Sequence, residues 1–158
     1  SNDVEVTDNT ITSNAANVNG NAVYFNGVTD SLVDNNLITG FGKGVHLNAS
    51  SDIDVTDNTI NNSASGIYVT ANSHDILVDN NDITGTTAYG IYFNGGYDYT
   101  VTENTATGTG TAGIYMIDAT GTNTIGDGTA GNANAINNYA TGIEINNSNI
   151  VVDRNTVS

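Results

Sequence analysis

The sequence predicts an all-β fold in which short parallel strands wind as a solenoid around a narrow apolar column. A pattern of three short alternating segments, separated by small polar residues, recurs along the chain. Its two clearest copies, Asp75–Phe93 and Asp98–Met116, place Asn81 and Asn104 23 residues apart. A fixed period in this range is typical of solenoid proteins. The copies repeat head to tail, without the mirror symmetry and central Asn-Gly or Asp-Gly turns of β-hairpins, which favours parallel stacking.

Each turn contains three strand-like pieces. The first piece ends at the Val of a Val-x-x-Asn-x-Ile pattern, the second contains its Ile, and a Gly-Ile-x-hydrophobic motif marks the third. Apolar positions spaced by two place both side chains on one face of a strand. The chain therefore forms three sheets and about six to seven turns, one of which is interrupted by residues 126–133. The first pattern starts at Val6, Val33, Val55, Val78, Val101, Ile125 and Val152. The third pieces are Ala22–Phe25, Gly44–Leu47, Gly66–Val69, Gly90–Phe93, Gly113–Met116 and Gly142–Ile145.

The apolar positions of these pieces predict the column. β-Branched residues dominate it, as a half-buried pleated surface favours. The first pieces contribute Val4, Val6, Ile53, Val55, Ile76, Val78, Val101, Ile125, Ile150 and Val152. The second contribute Ile11, Ile38, Ile60, Ile83, Ile136 and Val157. The third contribute Val23, Phe25, Val45, Leu47, Ile67, Val69, Ile91, Phe93, Ile114, Met116, Ile143 and Ile145.

A row of asparagines lies at the bend between the first and second pieces. Stacked amides donate to and accept from one another and satisfy backbone groups of the turn. We therefore interpret the row as structural. Its members are Asn9, Asn36, Asn58, Asn81, Asn104, Asn134 and Asn155.

Composition restricts the classes of function. The 158 residues are one domain's worth of chain, and 17 acidic against two basic residues give a formal charge of −15. This balance excludes the basic face that nucleic acids or anionic membranes require. Without cysteine there is no disulfide or thiolate site, and no apolar run is long enough for a membrane span.

The rungs Asp52–Val69 and Asp75–Phe93, together with the irregular stretch Asn123–Ile136, resemble repeats of the pectate-lyase-like superfamily of right-handed parallel β-helices. They are similar in particular to mannuronan epimerases, NosD-type proteins and large cell-surface repeat proteins. The resemblance implies a single-stranded right-handed parallel β-helix over residues 1–158. It also implies a location outside the cell or on its surface.

The enzymes of this superfamily act on acidic polysaccharides, and their characteristic motifs are absent from this sequence. Its only Arg and Lys are Arg154 and Lys43, about four rungs apart, so a uronate carboxylate would lack its usual cation. His46 takes an outward position and His74 precedes a strand, and we interpret both as surface residues rather than catalytic ones. No catalytic residue is assigned, and whether the chain is an enzyme stays open.

The outward position of the third piece carries a file of rings. It reads Tyr24, His46, Tyr68, Tyr92, Tyr115 and then Glu144. Tyrosine packs well on a sheet, and this alone accounts for the file. The alternative is a platform for sugar rings or a partner, with Tyr24, His46, Tyr68, Tyr92 and Tyr115 as glycan-binding candidates.

A second file is acidic and precedes the first strands. Aspartate at a strand entry usually forms a local turn. Stacked carboxylates also repel one another, and Ca²⁺ takes carboxylate and carbonyl oxygens. The metal candidates, a weak signal without a recognised calcium motif, are Asp30, Asp52, Asp75 and Asp98.

Two functions stay open at this point. One is a non-catalytic extracellular solenoid, a building block of a surface layer, filament or adhesin, which binds a polysaccharide or Ca²⁺. The other is a fragment of a polysaccharide lyase or epimerase. Since neither end carries an amphipathic cap, we expect an uncapped solenoid excised from a longer one, or self-association end to end.

Overall fold

Backbone hydrogen bonds join successive turns of this chain as parallel strands. The computed structural model describes residues 2–129 and 131–158, with the backbone alone at 15–18. In these ranges no helix is long and apolar enough to cross a bilayer. The same residues form eighteen strands: β1 (Glu5–Thr7), β2 (Thr10–Asn26), β3 (Thr29–Asp34), β4 (Leu37–Asn48), β5 (Ser51–Thr56), β6 (Thr59–Asn61), β7 (Ser65–Thr70), β8 (His74–Asp79), β9 (Asp82–Thr86), β10 (Tyr89–Asn94), β11 (Tyr97–Thr102), β12 (Thr105–Gly108), β13 (Ala112–Ile117), β14 (Asn123–Ile125), β15 (Ala135–Asn137), β16 (Thr141–Asn146), β17 (Ile150–Val152) and β18 (Thr156–Val157).

The strands form three faces around the column, as predicted. The first face is a seven-stranded sheet in the order β1-β3-β5-β8-β11-β14-β17. The long strand β4 pairs with β6 through Leu37–Thr39 and with β7 through residues 43–48, so it runs through a corner. The second face consists of the start of β2, the start of β4, β6, β9, β12, β15 and β18. The third face consists of the ends of β2 and β4, then β7, β10, β13 and β16.

Equivalent residues of successive turns stack in register. On the first face Val33 pairs with Val55, Val55 with Val78, and Val78 with Val101. On the third face Ile67 pairs with Ile91, and Ile91 with Ile114. The chain thus places chemically similar residues in columns that run along the solenoid axis.

The column of buried side chains follows the prediction through the middle turns and departs from it at the ends. Val152 and Val157 belong to the predicted column but are 45% and 53% exposed, because they lie in the last turn that the structure describes. Tyr99 was missed. It pairs with Ile76 in the inward position and is fully buried against Phe93, with ring centroids 4.4 Å apart. Partly buried members at the ends are Val4, Val6, Ile11, Ile143, Ile145 and Ile150.

The asparagine row forms the predicted amide ladder. Nδ2 of Asn58 donates to Oδ1 of Asn81 at 2.9 Å, and Nδ2 of Asn81 donates to Oδ1 of Asn104 at 2.9 Å. The same Oδ1 atoms also accept the backbone N–H of the residue one turn earlier, at 3.1 and 3.0 Å. The ladder continues without a break from Asn9 to Asn155, including Asn134 after the irregular stretch. The structural interpretation of this row is confirmed.

Candidate carbohydrate-binding face

The register of the third face places the predicted rings in one file. Tyr24 pairs with His46, His46 with Tyr68, Tyr68 with Tyr92, and Tyr92 with Tyr115. Tyr115 then pairs with Glu144 on β16. These side chains occupy the outward position because their neighbours in sequence, such as Ile67 and Val69, point into the column.

The rings of the file contact one another directly. The centroids of Tyr68 and Tyr92 are 4.4 Å apart with nearly parallel planes, and those of Tyr24 and His46 are 4.9 Å apart. His46 meets Tyr68 edge to face at 5.3 Å, and Tyr92 meets Tyr115 at 5.5 Å. Pairs of this kind stabilise by about 0.5–1.5 kcal/mol each beyond the area they bury. The file is therefore a packed structural element as well as a surface.

Tyr89 belongs to this cluster and was not predicted. Its ring lies 4.9 Å from that of Tyr92 and 5.5 Å from that of Tyr115. It opens β10, where the adjacent turns carry Ser65 and Ala112. No periodic signal identifies it, because the large ring occurs in one turn only.

Exposure differs strongly along the file. Tyr24 is 50% exposed, whereas Tyr92, between Tyr68, Tyr89 and Tyr115, is only 9% exposed. The inner rings cover one another, face to face between Tyr68 and Tyr92 and edge to face between Tyr92 and Tyr115. Only Tyr24, at the end of the file, offers a large exposed ring.

A basic group and an imidazole lie at one end of the file. Lys43 Nζ is 4.9 Å from the centroid of the Tyr68 ring, a cation–π arrangement. His46 Nε2 is 3.3 Å from Thr70 Oγ1, while its Nδ1 is buried without a hydrogen-bond partner. Burial lowers the pKa of His46, and the charge of Lys43 lowers it further. The imidazole is therefore neutral at pH 7.

A row of neutral polar side chains flanks the rings where the strands end. Asn48 Nδ2 donates to Asn26 Oδ1 at 2.8 Å, and Thr70 Oγ1 donates to Asn48 Oδ1 at 3.2 Å. Farther along, Asn94 Nδ2 donates to the Tyr92 hydroxyl at 3.0 Å. Asn146 Nδ2 donates to the Tyr115 hydroxyl at 2.9 Å. The rings and these amides together form a polar surface with few charges, which we call the aromatic face.

The four metal candidates lie on the first face, away from the aromatic face. Asp30, Asp52, Asp75 and Asp98 are each the second residue of a strand and have left-handed backbone angles, with φ between 51° and 57°. Asp75 Oδ2 lies 2.8 Å from His74 Nδ1, and Asp98 Oδ1 accepts the Thr122 N–H at 2.7 Å. The left-handed backbone at these four positions is compatible with local turns, and the turn-forming interpretation of the aspartates stays a prediction.

The first face also contains an acidic groove of about 260 Å³, lined mainly by carboxylates. Burial raises the pKa of Asp54 at this groove. In the described part of the chain, no three His, Asp or Glu side chains converge as metal ligands. Calcium binding by the aspartates stays a prediction. The groove is lined by Asp3, Glu5, Asp30, Ser31, Leu32, Asp52 and Asp54.

Acidic residues that follow the first-face strands alternate with neutral partners from turn to turn. Asn35 donates to Asp8 at 2.6 Å, and Asn80 donates to Asp57 at 2.5 Å. The hydroxyl of Thr102 donates in the same way to Asp79, at 2.6 Å. Like charges therefore do not stack directly in these two columns, and their carboxylates need no cation between them.

The remaining sequence candidates are separate from the aromatic face. His74 lies on the first face and stacks on Tyr97, with centroids 4.4 Å apart and parallel planes. Arg154 has a left-handed backbone, with φ 55°, in the turn between β17 and β18. Among the described residues neither Lys43 nor Arg154 forms an ion pair. The structure thus does not bring the two cations together.

Comparison with known protein families identifies a family for nearly the whole chain. A family described as the right-handed β-helix region matches residues 1–157. No curated protein matches the chain.

Proposed function

We propose that this chain, a member of the right-handed β-helix family, is a non-catalytic solenoid module outside the cell that binds a glycan on its aromatic face. The observation that carries the proposal is the unbroken file of rings over five consecutive turns of the third face. In a soluble protein a contiguous aromatic surface with polar edges is a common site for a partner or ligand.

The geometry suits a hydroxyl-rich ligand. Parallel strands repeat about every 4.8 Å, so the outward residues of the file recur along the axis at about this spacing. They and the flanking amides provide donors and acceptors, while the exposed ring of Tyr24 provides a stacking surface. An extended glycan chain along the axis would meet several turns at once, and multivalent contact raises affinity.

Binding is tested with a glycan array, followed by titration of tyrosine fluorescence with each ligand found. Tyr24→Ala should weaken binding about two- to tenfold, the equivalent of one ring contact. Tyr24 is a sharper test than Tyr92, because removal of the packed Tyr92 ring would leave a cavity among its neighbours.

Tyr97→Ala is the matched control. Tyr97 is 37% exposed and stacks on a histidine of the adjacent turn, as Tyr24 does, but lies on the first face. The Tyr97→Ala variant should bind the glycan with unchanged affinity. Equal loss in both variants, or an array without a ligand, contradicts the proposal.

The enzymatic alternative is tested with the same protein. Alginate and pectate are incubated with and without Ca²⁺, and unsaturated uronate absorbance and proton NMR are followed. We expect no turnover. Turnover that is lost in His46→Ala or His74→Ala would replace the non-catalytic proposal by a lyase or epimerase.

A further inference from the structure

We propose that the ligand of the aromatic face is an uncharged glycan rather than a polyuronate. This inference rests on the proposed function and specifies its ligand class. It follows from the charge of the whole molecule and from the chemistry of the groups beside the rings.

The electrostatic field opposes a polyanion. Seventeen acidic and two basic residues give the chain a formal charge of −15. A field of one sign over a surface repels ligands of the same sign and slows their association. A polyuronate carries one carboxylate per sugar, so each additional sugar adds to this repulsion.

The aromatic face has little to offset that repulsion. Its one cation, Lys43, lies over the Tyr68 ring and can meet a single carboxylate near one end of the file. At the other end the file terminates in Glu144, whose Oε1 accepts from Asn146 Nδ2 at 3.1 Å. Between these ends lie three tyrosines in register, Tyr68, Tyr92 and Tyr115, with the amide of Asn94 beside them, and none of these is an acidic or basic residue.

The polar groups beside the rings complement hydroxyl and acetamido groups. Asn48, Asn94 and Asn146 have donors and acceptors on one side chain, and each already engages a neighbour on the face. Burial raises the pKa of Tyr68 and of Tyr89, with the neighbouring Tyr92 adding to both shifts. These phenols therefore stay protonated as donors well into the alkaline range. Such partners recognise neutral sugars without an unpaired charge on either side.

The test compares each polyuronate with its own methyl ester, which keeps the backbone and removes the charge. Both forms of oligogalacturonate and oligomannuronate are included in the array with the neutral glycans, in chelator so that calcium cannot bridge carboxylates. Affinities of all ligands found are then measured by calorimetry at low and at high salt.

We expect the protein to bind neutral glycans and methyl esters. Where a uronate binds at all, the affinity for its methyl ester should be at least about tenfold higher than the affinity for its acid form at low salt. Because salt screens exposed charges beyond a Debye length of about 10 Å at 0.1 M, the gap should narrow as salt is added. Glu144→Gln should narrow the gap as well, because it removes a negative charge at the end of the file.

Two failures are distinguishable. Preferential binding of the acid forms, or binding of the acid that Lys43→Gln abolishes, overturns the uncharged class while leaving glycan binding in place. An array on which neither neutral nor acidic glycans bind overturns the proposed function and this inference together.

Discussion

The buried asparagine side chains of the ladder are bonded at both their amide nitrogen and their amide oxygen. Asn81 is 1% exposed, and its Nδ2 contacts the backbone oxygens of Val55 and Asp79 as well as Oδ1 of Asn104. Its Oδ1 accepts from both the backbone N–H and Nδ2 of Asn58. A buried amide is tolerated only when its polar atoms are paired, and here the stacking of identical turns pairs all of them.

Replacement of one ladder residue should therefore lower the free energy of unfolding. Asn81→Ala removes the side-chain acceptor of the buried Asn58 backbone N–H and the side-chain donor to the Val55 carbonyl oxygen, and a buried unpaired group costs about 1–3 kcal/mol. We expect a loss of about 3 kcal/mol in the free energy of unfolding, measured by urea titration. Asn61→Ala, which removes a half-exposed amide bonded to Thr84, is the control and should cost less than about 1 kcal/mol. Equal losses would contradict the role of the ladder.

Tyr99 places a hydroxyl inside the column, where the two turns before it have isoleucine, Ile76 and Ile53. The hydroxyl lies 2.5 Å from the Ser73 carbonyl oxygen and 2.9 Å from that of Gly95. Gly96 leaves the space it needs, because a Cβ there would lie 2.0 Å from the hydroxyl oxygen. Burial raises the pKa of Tyr99 strongly, so the folded state holds this proton more tightly than the unfolded state.

The pH dependence of stability follows from that shift. The protonated Tyr99 hydroxyl makes its full contribution to the free energy of unfolding below the unfolded tyrosine pKa of about 10. This contribution is lost as pH rises above that value toward the higher pKa of the folded state. Tyr99→Phe should cost about 1 kcal/mol at pH 7 and should reduce the alkaline loss of stability. Urea midpoints over a pH series measure both effects. Tyr97→Phe on the exposed surface is the control, and an alkaline slope unchanged in Tyr99→Phe would disprove the assignment.

At the scale of the strand, glycine decides how closely the second and third faces meet. A Cβ on Gly66 would lie 2.6 Å from the Gly90 carbonyl oxygen and 2.6 Å from Ile83 Cγ2. A Cβ on Gly90 would likewise lie 2.5 Å from the Gly113 carbonyl oxygen. In four consecutive motifs the glycine is therefore required by space, because a backbone oxygen of the next turn lies where a side chain would begin. These glycines are Gly44, Gly66, Gly90 and Gly113.

Gly66→Ala should force the turns apart. Overpacking of this kind costs about 1–3 kcal/mol or more, and we expect a loss of about 3 kcal/mol in urea titration. Gly27→Ala is the control, since nothing lies within 4 Å of its added Cβ and only its positive φ of 64° opposes alanine. That strain costs about 1 kcal/mol. A Gly66→Ala variant as stable as Gly27→Ala would show that the backbone between the second and third faces can shift at little cost in free energy.

The same repetition explains which features the sequence predicts. A parallel stack requires similar residues at each turn, so the period alone identifies the three faces, the amide ladder and the ring file. Features present in one turn have no such signal. Tyr89 and Tyr139 each occur once, yet Tyr89 covers Tyr92, and the Tyr139 hydroxyl bonds to Thr86 Oγ1.

Side-chain geometry within a predicted column also escapes the sequence. The position of Tyr92 in the file follows from the period, but its 9% exposure depends on how the neighbouring rings tilt. Tyr99 was missed because tyrosine is more often outward on a strand than inward. The hydrogen bonds that pair Asn35 with Asp8 and Asn80 with Asp57 follow from rotamers that spacing does not determine.

At the scale of the whole molecule, the outermost strands that the structure describes pair with a neighbour on one side only. β1 is at one end of the first face and β17 at the other, and β18 ends the second face. Exposed edges accept further strands, and similar edges at opposite ends give a head-to-tail contact that does not close into a dimer. The net charge of −15 opposes this contact, and salt screens that repulsion.

We therefore predict that this polypeptide associates along its axis, and more strongly as protein concentration and salt increase. Light scattering should show a rising molar mass, and electron microscopy should show rods of variable length. Val152 pairs with the buried Ile125 and is 45% exposed, so Val152→Glu places a charge on the open end of the column and should abolish association. Val151→Glu is the matched control, because Val151 pairs with Thr124 in the outward position and should leave the rods intact. A wild-type protein that stays monomeric at high concentration and high salt would contradict this prediction. It would show that desolvation of the strand edges costs more free energy than strand pairing and apolar burial contribute.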